Sequence, residues 1–231
     1  MAKRHITVSL NKKEILWGWV YLAVDFLLLP TALYWFTARL FPGISDAEVN
    51  FLYYFVNFLA TLLIFHRFLS RNLAMAKSNL LRVVLYALLG LFICWASGLV
   101  MGELTYRLMP DFVNVNDLGI AAMSRDGYLL MAIGTVVLVP AAEECLFRGL
   151  LFRSMYGKSR WAAYVVSALC FCLPHVSAYI GSYEWTVLVL CFVQYLPAGL
   201  MLAWSYEKSN TIFTPILIHT IINAFGIYAM R

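Results

Sequence analysis

Apolar and polar positions fall into long blocks along the chain. A polar, basic opening stretch gives way after Glu14 to an apolar run at 16–36. Six more runs follow at about 49–65, 83–101, 128–151, 161–180, 185–206 and 211–230. A helix of about 20 apolar residues matches the hydrocarbon thickness of a bilayer. The pattern therefore predicts an all-α, polytopic membrane helix bundle of about seven transmembrane helices, with length enough for an eighth. The first run is too long for the apolar region of a signal peptide and lacks a small-x-small cleavage site, so it reads as a retained helix. Pro30 predicts a kink in it, and Pro140 with neighbouring charges interrupts the fourth run. The loops are too short for a second domain, which makes 1–231 one integral membrane domain.

Composition strengthens this picture. Of the 231 residues, 63% are hydrophobic and 13% charged, against about 45–50% and about 25% in a typical soluble domain. The mean hydropathy is +0.79. An ordinary soluble enzyme, a disordered chain and a nucleic-acid-binding module are all excluded. The net charge of +5 reads as membrane orientation, because the basic residues sit between the apolar runs.

With the N-terminus in the cytoplasm, Lys3, Arg4, Lys12, Lys13, Arg67, Arg71, Lys77, Arg82, Arg153, Lys158, Arg160 and Lys208 fall inside. Arg39, Arg107, Arg125 and Arg231 fall outside, with most of the acids. Seven spans then satisfy the positive-inside rule and put the C-terminus outside a cell membrane. Trp17, Trp161 and Trp185 sit near run ends, as an aromatic belt requires. The five cysteines, Cys94, Cys145, Cys170, Cys172 and Cys191, lie in or beside apolar runs and read as small buried hydrophobes rather than a disulfide framework.

Ionisable groups inside apolar runs are costly, so each is a candidate for function. Asp25, Glu143, Glu144, Arg148, His175 and His219 qualify, and five of the six lie in the C-terminal half. They form three short patterns: EECLFR from Glu143, FCLPH ending at His175, and HTIIN from His219 to Asn223. Glu144 and Arg148 are four apart and can pair on one helix face, while Glu143 points about 100° away. His219 and Asn223 share a face and can donate to one oxygen. Each pattern alone is also what helix-fastening polar contacts look like. At 1.5 Å per residue, His219 lies ~12 Å and His175 ~21 Å from the cytoplasmic ends of their runs, and Glu143 ~22 Å from the outer end of its own. These depths let the three patterns meet.

Carboxylate, imidazoles and amide together suit water attack on a peptide bond. The carboxylate takes a proton from water, and His219 with Asn223 stabilises the oxyanion. There is no GxSxG elbow and no HExxH zinc signature. Glu143, His175 and His219 are nonetheless chemically able to ligate one zinc with a position left for water. Metal-dependent and metal-free hydrolysis both stay open.

The ordered set EExxxR, FxxxH and HxxxN on successive helices resembles the CPBP family of intramembrane proteases, which includes type II CAAX prenyl endopeptidases and bacterial Abi proteins. The resemblance covers about 128–226, which it marks as the catalytic core; the first three spans carry no family signature. It implies that Glu143 is the general base, that His175 holds or polarises the water, and that His219 and Asn223 form the oxyanion hole or complete a metal site. Glu144 and Arg148 would shape the site. The implied partners are the lipid bilayer and a membrane-associated peptide or protein, in bacterial peptide or bacteriocin maturation, immunity or regulatory proteolysis. Two other readings fit the residues: a non-catalytic membrane scaffold or immunity protein, and a small proton-coupled transporter. The absence of an internal repeat speaks against the transporter. Asp25 stays unexplained in all of these readings; a basic partner, a wet cavity and the substrate entrance are each open to it.

Overall fold

The computed structural model describes residues 6–230. Lys3, Arg4 and Arg231, which belong to the charge pattern above, lie outside the described residues. Every apolar run is helical, and the chain is a helical membrane bundle. A bent pair comes first, α1 (Lys12–Leu27) and α2 (Leu29–Leu40), followed by the long α3 (Asp46–Ser78) and α4 (Leu80–Leu108). The fourth run lies in a continuous helical stretch, Val115–Tyr156. It comprises α5 (Val115–Ile133), a π-helical segment Gly134–Leu138, α6 (Val139–Glu144), a second π segment Cys145–Phe152 and α7 (Arg153–Tyr156). Then come α8 (Arg160–Cys172), the short α9 (Pro174–Ser177), α10 (Trp185–Ser209) and α11 (Phe213–Ala229).

Among the described residues, four helices are long and apolar enough to cross a membrane, and five if the bent pair is one span. The runs at 161–180 and 211–230 form shorter helices. Pro174 stops α8 after 13 residues, and α11 has 17. The helix of the fourth run begins at Val115, earlier than its apolar residues, because Asn114 caps it by accepting from the amides of Asn116 and Asp117. Its polar first turns meet the apolar part at Gly127, where φ −147° and ψ 57° leave the helical region.

Pro30 shapes the bundle where the sequence expects it to, whereas Pro140 does not break its run, which stays helical from Val115 to Tyr156. Pro30 sits in the first turn of α2, and the pair α1–α2 bends by 56°. The short described segment before α1 is tied to the bundle. Asn210 Oδ1 accepts from Thr7 N at 2.7 Å, and Arg153 Nε donates to Val8 O at 3.1 Å. Asn11 and Glu14 form a capping box at the start of α1. Buried Glu14 also accepts from Phe68 N at 2.7 Å and Arg71 Nη2 at 3.0 Å, fastening α1 to α3. On α10, Glu207 takes both guanidinium donors of Arg160 and the hydroxyls of Tyr156 and Tyr164.

Two apolar clusters carry the packing around the site. Phe65, Phe68, Leu146, Leu150, Phe152 and Tyr206 fill one. Phe147, Phe171, Leu202 and Ile218 fill the other. Outward faces stay apolar: Leu81, Leu88, Phe92 and Trp95 of α4 are exposed, as a lipid-facing surface requires. Trp17, Trp161 and Trp185 are also exposed. The five cysteines are free thiols, three of them buried.

Small residues set the closest helix contacts. A Cβ at Gly199 of α10 would lie 3.1 Å from Ala168 Cα of α8, a backbone atom that cannot move aside. Gly199→Val is therefore expected to destabilise the protein by about 1–3 kcal/mol through overpacking. Gly102→Val, where a Cβ meets nothing within 4 Å, should leave stability close to that of the parent. Thermal unfolding in detergent checks the pair, and equal midpoints would refute this account of the α8–α10 contact.

Candidate active site

The two π segments bracket Glu143 and Glu144, and the wider π turn carries a consequence for the backbone. In the first segment Val139 N donates to Gly134 O, five residues back. The same register would have residue 140 donate to Thr135 O, but residue 140 is proline and has no N–H. Asn223 of α11 supplies the missing donor, with Nδ2 2.8 Å from Thr135 O. The sequence thus creates an orphan carbonyl and fills it from a helix 88 residues away.

Glu144 is fully buried and points into the protein. Its Oε1 accepts from Arg148 Nη1 at 2.9 Å and lies 3.0 Å from His219 Nδ1. Arg148, also fully buried, reaches Gly199 O with Nη2 at 2.9 Å and lies 4.4 Å over the Phe171 ring. The i,i+4 pair expected from the sequence is present. His219, which joins it from α11, was not foreseen there, because spacing shows same-helix neighbours only. With Glu144 as acceptor, Nδ1 of His219 is the donor. The resulting Arg148–Glu144–His219 chain links the second π segment, α10 and α11.

Glu143 turns the other way and lines a cavity of about 1130 Å³. His175, His219 and Asn223 line the same cavity. Glu143 Oε2 has no hydrogen-bond partner among the described residues. His175 follows the break at Pro174, and its Nδ1 lies 3.0 Å from Phe171 O. A carbonyl can only accept, so Nδ1 carries the proton and Nε2 keeps its lone pair. The imidazole stacks on Tyr195 with centroids 4.0 Å apart. Phe171 sits between the two imidazoles, 5.0 Å from His175 and 5.6 Å from His219.

All four expected catalytic residues therefore meet in one cavity, with Glu144 and Arg148 behind it. One position each of His219 and Asn223 is already taken, His219 Nδ1 by Glu144 and one N–H of Asn223 by Thr135 O, which leaves His219 Nε2 and the second N–H of Asn223 for a further partner. Glu143, His175 and His219 line one wall system, yet among the described residues no three His, Cys, Asp or Glu side chains are grouped to hold a metal ion.

The structure adds residues that spacing could not show. Tyr195 reaches Asp117 at 3.2 Å and accepts from Asn116 at 3.1 Å, tying the His175 stack to the start of α5. Asp25 of α1 lines the same cavity, which places it beside chemistry carried by the opposite half of the chain.

Comparison with known proteins agrees with the motif pattern. Residues 125–225 match the family described as Rce1-like, type II CAAX prenyl endopeptidase. Two proteins of Lactococcus lactis subsp. lactis (strain IL1403) are similar. The UPF0177 protein YxdF is 24% identical over 149 residues, 60% of this chain and 77% of that protein. The UPF0177 protein YbdI is 25% identical over 129 residues, 53% of this chain and 65% of that protein. No solved structure matches. The resemblance read from EExxxR, FxxxH and HxxxN is borne out: the segment that matches the Rce1-like family holds all three motifs. It begins within α5 and ends within α11, so α1–α4 lie outside it.

Removing one member of a buried charge pair strands the other. Arg148→Met is expected to cost about 3–5 kcal/mol, and more than Glu143→Gln, because Glu143 faces the cavity. Thermal unfolding of both variants in detergent tests the order; a larger loss for Glu143→Gln would contradict it.

Proposed function

We propose that this protein is an intramembrane endopeptidase that hydrolyses a peptide bond of a membrane-associated peptide or protein with a glutamate-activated water. The match to a prenyl endopeptidase family supports the protease class. The observation that carries the mechanism is the cavity in which Glu143, His175, His219 and Asn223 meet, arriving from α6, α9 and α11.

The roles follow from the donors and acceptors. A water donates one hydrogen bond to Glu143 and the other to the lone pair on His175 Nε2. Glu143 takes the proton as the water oxygen bonds to the carbonyl carbon. The carbonyl oxygen becomes an oxyanion, stabilised by His219 in its protonated form through Nε2–H and by the second amide N–H of Asn223. Glu144 holds His219 by Nδ1 and Arg148 balances Glu144, so both are positioning residues. When the tetrahedral intermediate collapses, Glu143 returns its proton to the leaving nitrogen. One water is consumed, and an acid and an amine are formed. Residues 128–226 supply every group in this scheme, and the preceding helices supply the far wall of the cavity.

We further propose that the substrate belongs to bacterial peptide or bacteriocin maturation, immunity or regulatory proteolysis. The similarity to two Lactococcus proteins supports a bacterial setting. The proposed topology is N-terminus inside and C-terminus outside, supported by the charge pattern. A C-terminal alkaline phosphatase fusion should be active and a C-terminal green fluorescent protein fusion dark; the reverse would overturn the topology.

The activity test is cleavage of membrane-peptide libraries by the purified protein in detergent. Glu143→Gln is expected to lower turnover by about 10²-fold or more, at unchanged expression and unfolding midpoint. Addition of a chelator should leave the wild-type rate in place. Cleavage retained by Glu143→Gln would refute the general-base role. Cleavage abolished by the chelator and restored by zinc would replace this mechanism with a metal-dependent one.

A further inference from the structure

Asp25 is a buried acidic group that the mechanism leaves unused. It is 6% exposed, lies on α1 and lines the same cavity as Glu143. Both of its hydrogen bonds fall on Oδ1, from Tyr53 Oη at 3.1 Å and Asn57 Nδ2 at 3.2 Å. Oδ2 accepts none among the described residues. A carboxylate placed at membrane depth is costly and needs a counter-charge. Glu144 has Arg148 and His219 for this purpose. Asp25 has no ion pair among the described residues, and no described lysine or arginine lines the cavity. Asp25, Asp46, Asp117 and Glu143 all do.

The position of Asp25 relative to the catalytic groups is fixed by packing. Its neighbour Phe26 meets Phe147 edge to face at 6.2 Å, Phe147 meets Phe171 at 5.8 Å, and Phe171 touches both histidine rings. Tyr53, the donor to Asp25, lines the cavity as well. Asp25 and Tyr53 therefore line the same space that a substrate held at Glu143 would fill.

We propose that Asp25, oriented by Tyr53 and Asn57, is a specificity subsite that takes a cationic group of the substrate near the scissile bond. The cation is an ammonium or guanidinium. It is carried by a lysine or arginine side chain, or by a free peptide N-terminus. In lipid such a group has no partner, so a buried carboxylate inside the cavity draws it out of the bilayer and sets the register of the peptide against Glu143. The proposal rests on the endopeptidase reading, and it extends the site to a helix outside the Rce1-like segment.

The test uses N-acetylated apolar peptides of about 20 residues with one lysine walked through the centre. A matched set carries norleucine instead. Binding is read by fluorescence polarisation and cleavage by mass spectrometry, with wild type and the near-isosteric Asp25→Asn in parallel. Wild type should bind the best lysine peptide at least about tenfold tighter than its norleucine partner. That ratio should fall toward one in Asp25→Asn, whose unfolding midpoint shows whether the fold is kept. A third set, norleucine peptides with free N-termini, separates the two sources: tight binding lost in Asp25→Asn assigns the cation to the N-terminus. Equal binding of all sets by wild type, or a preference that persists in Asp25→Asn, overturns the subsite. Discrimination in binding with no cleavage of any peptide overturns the endopeptidase reading and leaves the subsite standing.

Discussion

A carboxylate with no solvent exposure has to be answered where it stands, and Glu144 is answered by two other parts of the bundle. Arg148 neutralises it from one turn along, and His219 reaches it from α11. Arg148 in turn needs a second acceptor and finds it in the backbone of α10. Three helical elements are thereby held to one another by a short polar chain inside an apolar interior, where leaving any member unpaired is expensive. The cavity takes its shape from this constraint. Because Glu144 is committed to the protein side, its neighbour Glu143 is presented to the opposite side.

The π segments make that division possible. A run of plain α-helix through Pro140 would lose a hydrogen bond and kink. The extra residue per turn instead lets the helix continue, at the cost of one carbonyl that Asn223 then satisfies. π-bulges occur frequently at functional sites for this kind of reason. The polar residues of α11 are thus bound to the fourth run at two levels, His219 at Glu144 and Asn223 at Thr135.

The sequence shows the helical membrane class, the kink at Pro30 and the Glu144–Arg148 pair, because each follows from hydropathy, from proline chemistry or from one-helix spacing. It also singles out Asp25, Glu143, His175 and His219, four of the residues that line the cavity, since ionisable groups stand out in apolar runs. The His219–Glu144 and Asn223–Thr135 bonds are invisible in it, because both join distant helices. The early start of α5 is missed because hydropathy reads apolarity rather than capping. Glu14 escapes notice for a different reason: it looks like part of a polar leader, although Asn11 three residues before it is a capping-box signature. Tyr53, Asn57 and Tyr195 are ordinary members of apolar runs until the fold gives them partners.

Several anchors of the site are main-chain oxygens: Thr135 O for Asn223, Phe171 O for His175 and Gly199 O for Arg148. An acceptor of that kind survives almost any change of side chain at its own position. Substitutions at residue 135 can drift without erasing the bond, and residue 199 is held by size rather than by charge. Mutational information about this constellation is therefore concentrated on the donors, and their partners leave little covariation behind. Lineages can diverge widely around such a centre while its geometry is inherited through the backbone.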